Sequence, residues 1–222
     1  MTKARSGRRV TVLLVDDHAV VRAGYRRFLE SDPYVTVVGE AASSLEALSC
    51  DRALSPNVIV LDIALPGVSG IETLRRILIR RPAAHVLMFS MYDDAIYAAR
   101  ALTAGALGYV SKASAPELLV EGVRAVADGL QYISPDLRRS ISALSTRTNE
   151  LAHSLSIREH EVLRLLAQGH DLNEIGEQLG VSAKTVANLQ TTIKQKLGAT
   201  SALQLIVMAR QIGLEYVESK TV

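Results

Sequence analysis

A chain of 222 residues, 48% hydrophobic and 22% charged, has room for two modest domains with their own cores and lacks the bias of a disordered polypeptide. Its apolar runs fall well short of the roughly 20 residues that span a bilayer, and the single cysteine, Cys50, excludes an internal disulfide and suits a reducing cytosol. The net charge of +2 makes no case for nucleic acid by itself, so any such case must come from where the charges lie.

The basic start from Met1 to Arg9 meets a short apolar run and then Asp16 and Asp17, a pattern that argues against a cleavable signal peptide. From Val10 onward, short apolar runs alternate with amphipathic segments. They predict strands at 10–15, 35–39, 58–61, 86–89 and 107–110, and helices at 19–31, 44–53, 70–80, 94–104 and 115–128. Five strand–helix repeats with short connections imply a doubly wound α/β domain on a five-stranded parallel sheet, over 9–130. Pro33, Pro56, Pro66, Pro82 and Pro116 all fall at the joints or first turns, where proline does least harm. Residues 131–152 are rich in Ser, Thr and Arg and are expected to be a linker, entered by a short helix from Pro135.

Beyond the linker, over 153–216, the strand pattern disappears and an all-α four-helix unit is expected. Ser156 with Glu159, and Asp171 with Glu174, are capping boxes ahead of apolar residues, and Gly169 and Gly180 stop the two helices. Ser182 caps a third helix that Gly198 ends, and a fourth runs from about Ser201 to Ile212. A short helix, a glycine turn and a longer helix form a helix-turn-helix outline.

Parallel strands collect ligands at their carboxyl ends. Here those ends carry Asp16 and Asp17, Asp62, Ser90 and Lys112. Taken singly, each has a bland explanation, since Asp caps helices and lysines are mostly solvated. Together, three carboxylates on one rim repel unless a cation sits among them, and carboxylates with waters and phosphate suit Mg²⁺. Asp62 could then attack a phosphoryl donor, Lys112 pair with the added anion and Ser90 donate a hydrogen bond to it. Gly67 and Gly70, behind Asp62, are places where backbone can bend or approach a ligand.

These residues resemble the receiver domain of bacterial two-component response regulators. Asp16-Asp17, Asp62, Ser90 and Lys112 match the acidic pair, phosphoacceptor, hydroxyl switch and lysine of that family in order and spacing, and Tyr109 matches its aromatic switch position. Leu65-Pro-Gly-Val-Ser-Gly70 and Ala104-Gly-Ala-Leu-Gly-Tyr109 are also similar to it. The resemblance implies a metal site of Asp16, Asp17 and Asp62, a sensor histidine kinase as phosphoryl donor, and reorientation of Ser90 and Tyr109 on phosphorylation.

In the second half the only charges between Glu177 and Glu215 are Lys184, Lys194, Lys196 and Arg210. At helical spacing Val186, Leu189, Ile193 and Leu197 share one side and are expected to be buried. The other side presents Lys184, Ala187, Asn188, Thr191 and Gln195, a small hydrogen-bonding face suited to a DNA major groove. Lys194 and Lys196 lie on its flanks, where phosphates would be, and Ser182 and Thr185 at the helix start can hold another phosphate. This half resembles the LuxR-type helix-turn-helix of the NarL/FixJ regulators through Leu155–Glu159, Val162–Gly169, Glu174-Ile175, Leu179–Ser182, Lys184–Val186, Ile193 and Lys196–Gly198. Gly176, where the family commonly has alanine, is expected to loosen its helix by up to ~1 kcal/mol. Leu189, Ala187 and Thr191 stand where relatives often have histidine or basic residues, which implies fewer charged base contacts.

The combined expectation is a cytoplasmic transcription regulator whose affinity for double-stranded DNA depends on phosphorylation at Asp62, acting as a homodimer. It is no enzyme beyond phosphoryl acceptance and slow self-dephosphorylation. Two other readings stay open from residues alone: an Mg²⁺-dependent phosphotransferase or phosphatase, and a regulator with a vestigial pocket. The five histidines show no metal-ligand spacing, and Cys50 reads as a packing residue.

Overall fold

The inner strands of the first unit, Val58–Leu61 and Val86–Ser90 among them, are nearly unbroken apolar runs because both their faces are covered, whereas the edge strand Val35–Ala41 carries Glu40 and an exposed Val38. In the computed structural model, which describes residues 9–92, 95–135, 137–138 and 154–211 (210 and 211 as backbone only), the described residues divide between 143 and 144 into two compact units. The first alternates β1 (Val10–Val15), α1 (Ala19–Leu29), β2 (Val35–Ala41), α2 (Ser44–Leu54), β3 (Val58–Leu61), α3 (Gly70–Arg80), β4 (Val86–Ser90), α4 (Ala95–Thr103), β5 (Gly108–Ser111), α5 (Pro116–Ala127) and β6 (Tyr132–Ile133). All pairings are parallel and the order is β2-β1-β3-β4-β5-β6.

Val12, Leu14, Val58, Val60, Leu87 and Phe89 form one core with Leu29 of α1 and Leu119, Val123 and Val126 of α5. Their strand neighbours Leu13, Ile59 and Leu61, which alternation sends to the opposite face, are equally buried. The sheet runs one way from β1 to β2 and the other way from β1 to β3, so a crevice opens at the carboxyl ends of β1 and β3.

The doubly wound parallel architecture is as expected, but the sheet has six strands rather than five, and the sixth corrects the start of the linker. Gly129 takes φ +74° and ends α5, with Leu130 N–H donating to Ala125 O at 2.9 Å. That turn returns the chain beside β5, where Tyr132 N–H reaches Leu107 O at 3.0 Å and Ser134 N–H reaches Tyr109 O at 3.1 Å. Ser134 and Leu137 are buried as well. A two-residue strand offers too little periodicity to be read from sequence. The rest of the expected linker, from 139 to 152, lies outside the described residues.

The second unit consists of α6 (Ile157–Ala167), α7 (Leu172–Leu179), α8 (Ala183–Leu197) and α9 (Ala202–Gln211). Both capping boxes form, and Ser182 Oγ accepts Thr185 N–H at 3.2 Å. Three glycine ends are Schellman turns: His170 N–H donates to Leu165 O at 3.2 Å, Val181 N–H to Gly176 O at 2.9 Å and Ala199 N–H to Lys194 O at 2.9 Å, around Gly169, Gly180 and Gly198 in left-handed backbone. Leu163, Ile175, Val186, Ile193 and Leu205 meet in the core. No described helix is long and apolar enough to cross a membrane.

Candidate functional site

Backbone pairing delivers the polar residues to one rim. Asp62 N–H donates to Val15 O at 2.9 Å, which sets Asp62 beside the end of β1. Lys112 N–H donates to Ser90 O at 2.8 Å, which sets the lysine beside the end of β4. Ser90 and Ser111 are partners in the β4–β5 register. Asp16, Asp62 and Ser90 are all buried, and Asp17 is partly exposed.

The centre is an ion triad. Lys112 Nζ bonds Asp16 Oδ2 and Asp62 Oδ2 together, with the three side chains only 4–5% exposed. The ammonium also lies 5.9 Å from the centroid of the Phe89 ring. Burial alone would lower the Lys112 pKa, but the Asp62 charge and the hydrogen bonds to both carboxylates hold it above the ordinary lysine value. The lysine is therefore a fixed, fully charged cation in the crevice. The other oxygens are partly engaged by backbone: Asp16 Oδ1 accepts His18 N–H at 2.8 Å, and Asp62 Oδ1 accepts Ala64 N–H at 3.2 Å.

Asp17 is less buried than Asp16, with His18 Nδ1 at 2.7 Å from its Oδ1. Asp16, Asp17 and His18 each offer a ligand atom within 4.8 Å of the others. Asp62 is not in that group, and Lys112 Nζ bridges it to Asp16. The donor set is nonetheless one of hard carboxylate oxygens, the chemistry of a small divalent cation. The Ser90 hydroxyl is buried with no hydrogen-bond partner among the described residues, so it retains a donor for an anion placed next to Asp62.

Tyr109 is fully buried inside β5, with β6 beyond it. Its hydroxyl donates to Tyr92 O at 2.5 Å, and the Tyr92 ring stacks on Tyr97 at 4.3 Å. The tyrosine is therefore tied to the backbone two residues beyond Ser90, not to Asp62.

One residue, Arg22, escaped the sequence reading, and a second, Gly70, was read only in part. Arg22 donates from Nη1 to Asp16 O at 2.6 Å and from Nε to Glu40 at 3.3 Å, so it clamps the acidic turn to β2. Its position one turn into the helix that follows two acids was the available signal. Gly70 proves to touch backbone, not ligand: a Cβ there would lie 1.8 Å from Asp62 O. Gly67, in contrast, sits in open space at φ +74°.

On α8, Lys184, Asn188, Thr191 and Gln195 form one exposed stripe, with Ser182 and Thr185 exposed at its start and Ala187 half-buried beside it. Val186, Ile193 and Leu197 face the core as expected, whereas Leu189 is only half-buried. Lys194 has no ion pair among the described residues, while Lys196 is bound to Glu159 at 2.7 Å and is not a free flank cation. Thr191 Oγ1 donates back to Ala187 O at 3.0 Å.

An acidic, cation-bearing rim at a switch point, joined in one chain to a helix-turn-helix with an open polar stripe, defines a class: a nucleic-acid-binding regulator with its own input domain. Comparison with known proteins agrees. The response regulator receiver domain matches residues 12–124, and the luxR family of bacterial regulatory proteins matches residues 153–209. The response regulator UvrY of Escherichia coli O6:H1 is 36% identical over 209 residues, covering 92% of this chain and 95% of that protein. RcsB from Salmonella enterica serovar Typhimurium, solved on the rprA promoter with the phosphomimetic BeF₃⁻, has TM-score 0.61 and 27% identity, covering 90% of this chain and 98% of that one. A second structure, of two RcsB dimers on two parallel DNAs, has TM-score 0.59 and 27% identity over 91% and 98%. The chain belongs to the NarL/FixJ family of two-component response regulators, transcription regulators with a LuxR-type DNA-binding domain.

Proposed function

We propose that Asp62 is the phosphoacceptor of this regulator and that its phosphorylation by a sensor histidine kinase raises the affinity of the helical unit for double-stranded DNA. The observation that supports this most is the convergence of Asp16, Asp62, Lys112 and an unsatisfied Ser90 hydroxyl on one crevice. A carboxylate oxygen of Asp62 attacks the phosphorus of a phosphohistidine. The P–N bond breaks, its electron pair stays on the imidazole, which is protonated by solvent, and an acyl phosphate remains on Asp62.

As the Asp62 charge moves onto the phosphoryl oxygens, Lys112 follows it and Ser90 Oγ donates to the same oxygens. Movement at Ser90 strains the segment to Tyr92, and the Tyr109 hydrogen bond to Tyr92 O carries that strain to β5. Mg²⁺, when bound by Asp16, Asp17 and Asp62, would neutralise charge on the phosphoryl group and orient it. Slow hydrolysis of the acyl phosphate resets the switch, and we assign the protein no other turnover.

In the helical unit, Lys184, Asn188, Thr191 and Gln195, with Ala187 beside them, enter the major groove. Lys194, with Ser182 and Thr185 at the helix start, holds phosphates. The neighbouring RcsB structures on DNA support duplex binding as a homodimer; we place the protein in the cytoplasm and assign the segment from 139 to 152 as the connection between its units.

The test is labelling with acetyl phosphate. Asp62→Asn is expected to reduce incorporation to background while circular dichroism stays native, and labelling that persists at the wild-type level would assign the acceptor elsewhere.

A further inference from the structure

Lys194 and Lys196 look equivalent in sequence, two lysines in the last turn of one helix. Their surroundings differ. Lys196 Nζ donates to Glu159 Oε2 at 2.7 Å, and the Glu159 side chain is 6% exposed. The same oxygen accepts Ser156 N–H at 2.6 Å, while Ser156 Oγ accepts Glu159 N–H at 3.2 Å. Burial alone would raise the Glu159 pKa, but Lys196 and the Ser156 hydrogen bonds hold it below the ordinary glutamate value.

One carboxylate thus closes the capping box of α6 and anchors the far end of α8. We propose that Lys196 acts in DNA recognition as a positioning residue, not as a phosphate contact. This rests on the reading of α8 as the groove helix. Val186, Ile193 and Leu197 fix how deeply α8 is seated, but apolar contacts resist tilt and sliding poorly because they are non-directional. The charge-assisted bond at its C-terminal end is directional. At about 1.5 Å per residue, Asn188 lies roughly 12 Å along the axis from Lys196. A tilt of about 10° about that anchor would move it by roughly 2 Å, more than a hydrogen bond tolerates.

A phosphate-contacting lysine and a positioning lysine leave different signatures. Binding is measured with the full-length chain on a duplex selected from random sequence by the wild type, and on an unrelated duplex, over a range of salt. Lys194→Met is expected to reduce the slope of log K against log salt by about 1, on both duplexes. Lys196→Met is expected to leave that slope unchanged, to weaken the selected duplex about tenfold and to narrow the gap to the unrelated one.

Glu159→Gln retains an oxygen for Ser156 N–H and is expected to fold. It should produce the same loss as Lys196→Met, and the double variant should lose no more than either. Lys196→Arg keeps a cation on Glu159 and should restore discrimination. A slope lowered by about 1 in Lys196→Met, or affinity raised in Glu159→Gln through release of the lysine, overturns the proposal while leaving DNA binding intact. A wild type with no affinity for any duplex would defeat the functional reading as well.

Discussion

Gly70 shows how far the acidic rim depends on a residue with no side chain. Its N–H donates to Ile63 O at 2.9 Å, and a Cβ would lie 1.8 Å from Asp62 O and 2.7 Å from Asp62 C. Neither neighbour is a flexible side chain, so Gly70→Ala must push the Asp62–Ile63 backbone. A displacement near 1 Å at a reacting group costs up to about 10²-fold in rate. We expect labelling from acetyl phosphate to slow at least tenfold in this variant, and an unchanged initial rate would mean that the loop yields without moving Asp62. Asp16, Asp62, Ser90 and Lys112 were legible in the sequence because a strand end can be read from where an apolar run stops. Arg22 was not, because its partners, Asp16 O and the Glu40 carboxylate, lie on other elements, and Gly70 was legible as a place of close approach but not as one against Asp62. The Lys196 partner was hidden by 37 residues of separation.

At the scale of elements, the helical unit is set by its turns, and Gly176 is the residue that propensity alone misjudges. Alanine there should strengthen α7 by up to ~1 kcal/mol. In the folded unit, however, its Cβ would meet Val181 O at 2.7 Å, and Val181 N–H already bonds Gly176 O at 2.9 Å in the Schellman turn. The turn must open for the methyl group, and overpacking of this kind costs about 1–3 kcal/mol. The clash outweighs the propensity. Gly176→Ala is expected to lower the stability of the helical unit by about 1 kcal/mol, a fall of roughly 4–8 °C in Tm for a domain of this size. Thermal unfolding followed by circular dichroism checks it, and a raised Tm would show that the turn accommodates the methyl. The helices themselves were plain in the sequence because caps and glycine stops bracket apolar spacing. The sixth strand was not, since two residues after a glycine carry no period.

At the scale of the whole molecule, the two units communicate only if occupancy of one changes the affinity of the other. An acyl phosphate carries close to two negative charges where the Asp62 carboxylate carried one, and coupling between sites of this kind typically spans about 5–150-fold. The order of the domains was visible from composition, yet the coupling was not, because a Ser/Thr/Arg-rich connection holds no pattern that specifies a contact. Thermodynamic reciprocity supplies the test. If beryllofluoride, a phosphoryl mimic, raises the affinity for a selected duplex by a given factor, saturating duplex must lower the beryllofluoride concentration needed for half occupancy by the same factor, per protomer bound. A tenfold change in both directions corresponds to about 1.4 kcal/mol of coupling. Asp62→Asn should abolish both effects and retain the basal affinity of the free helical face. DNA affinity indifferent to saturating beryllofluoride, in a chain that still binds the mimic, would leave the acidic rim without a hold on the groove helix and return the choice to a regulator that works unphosphorylated.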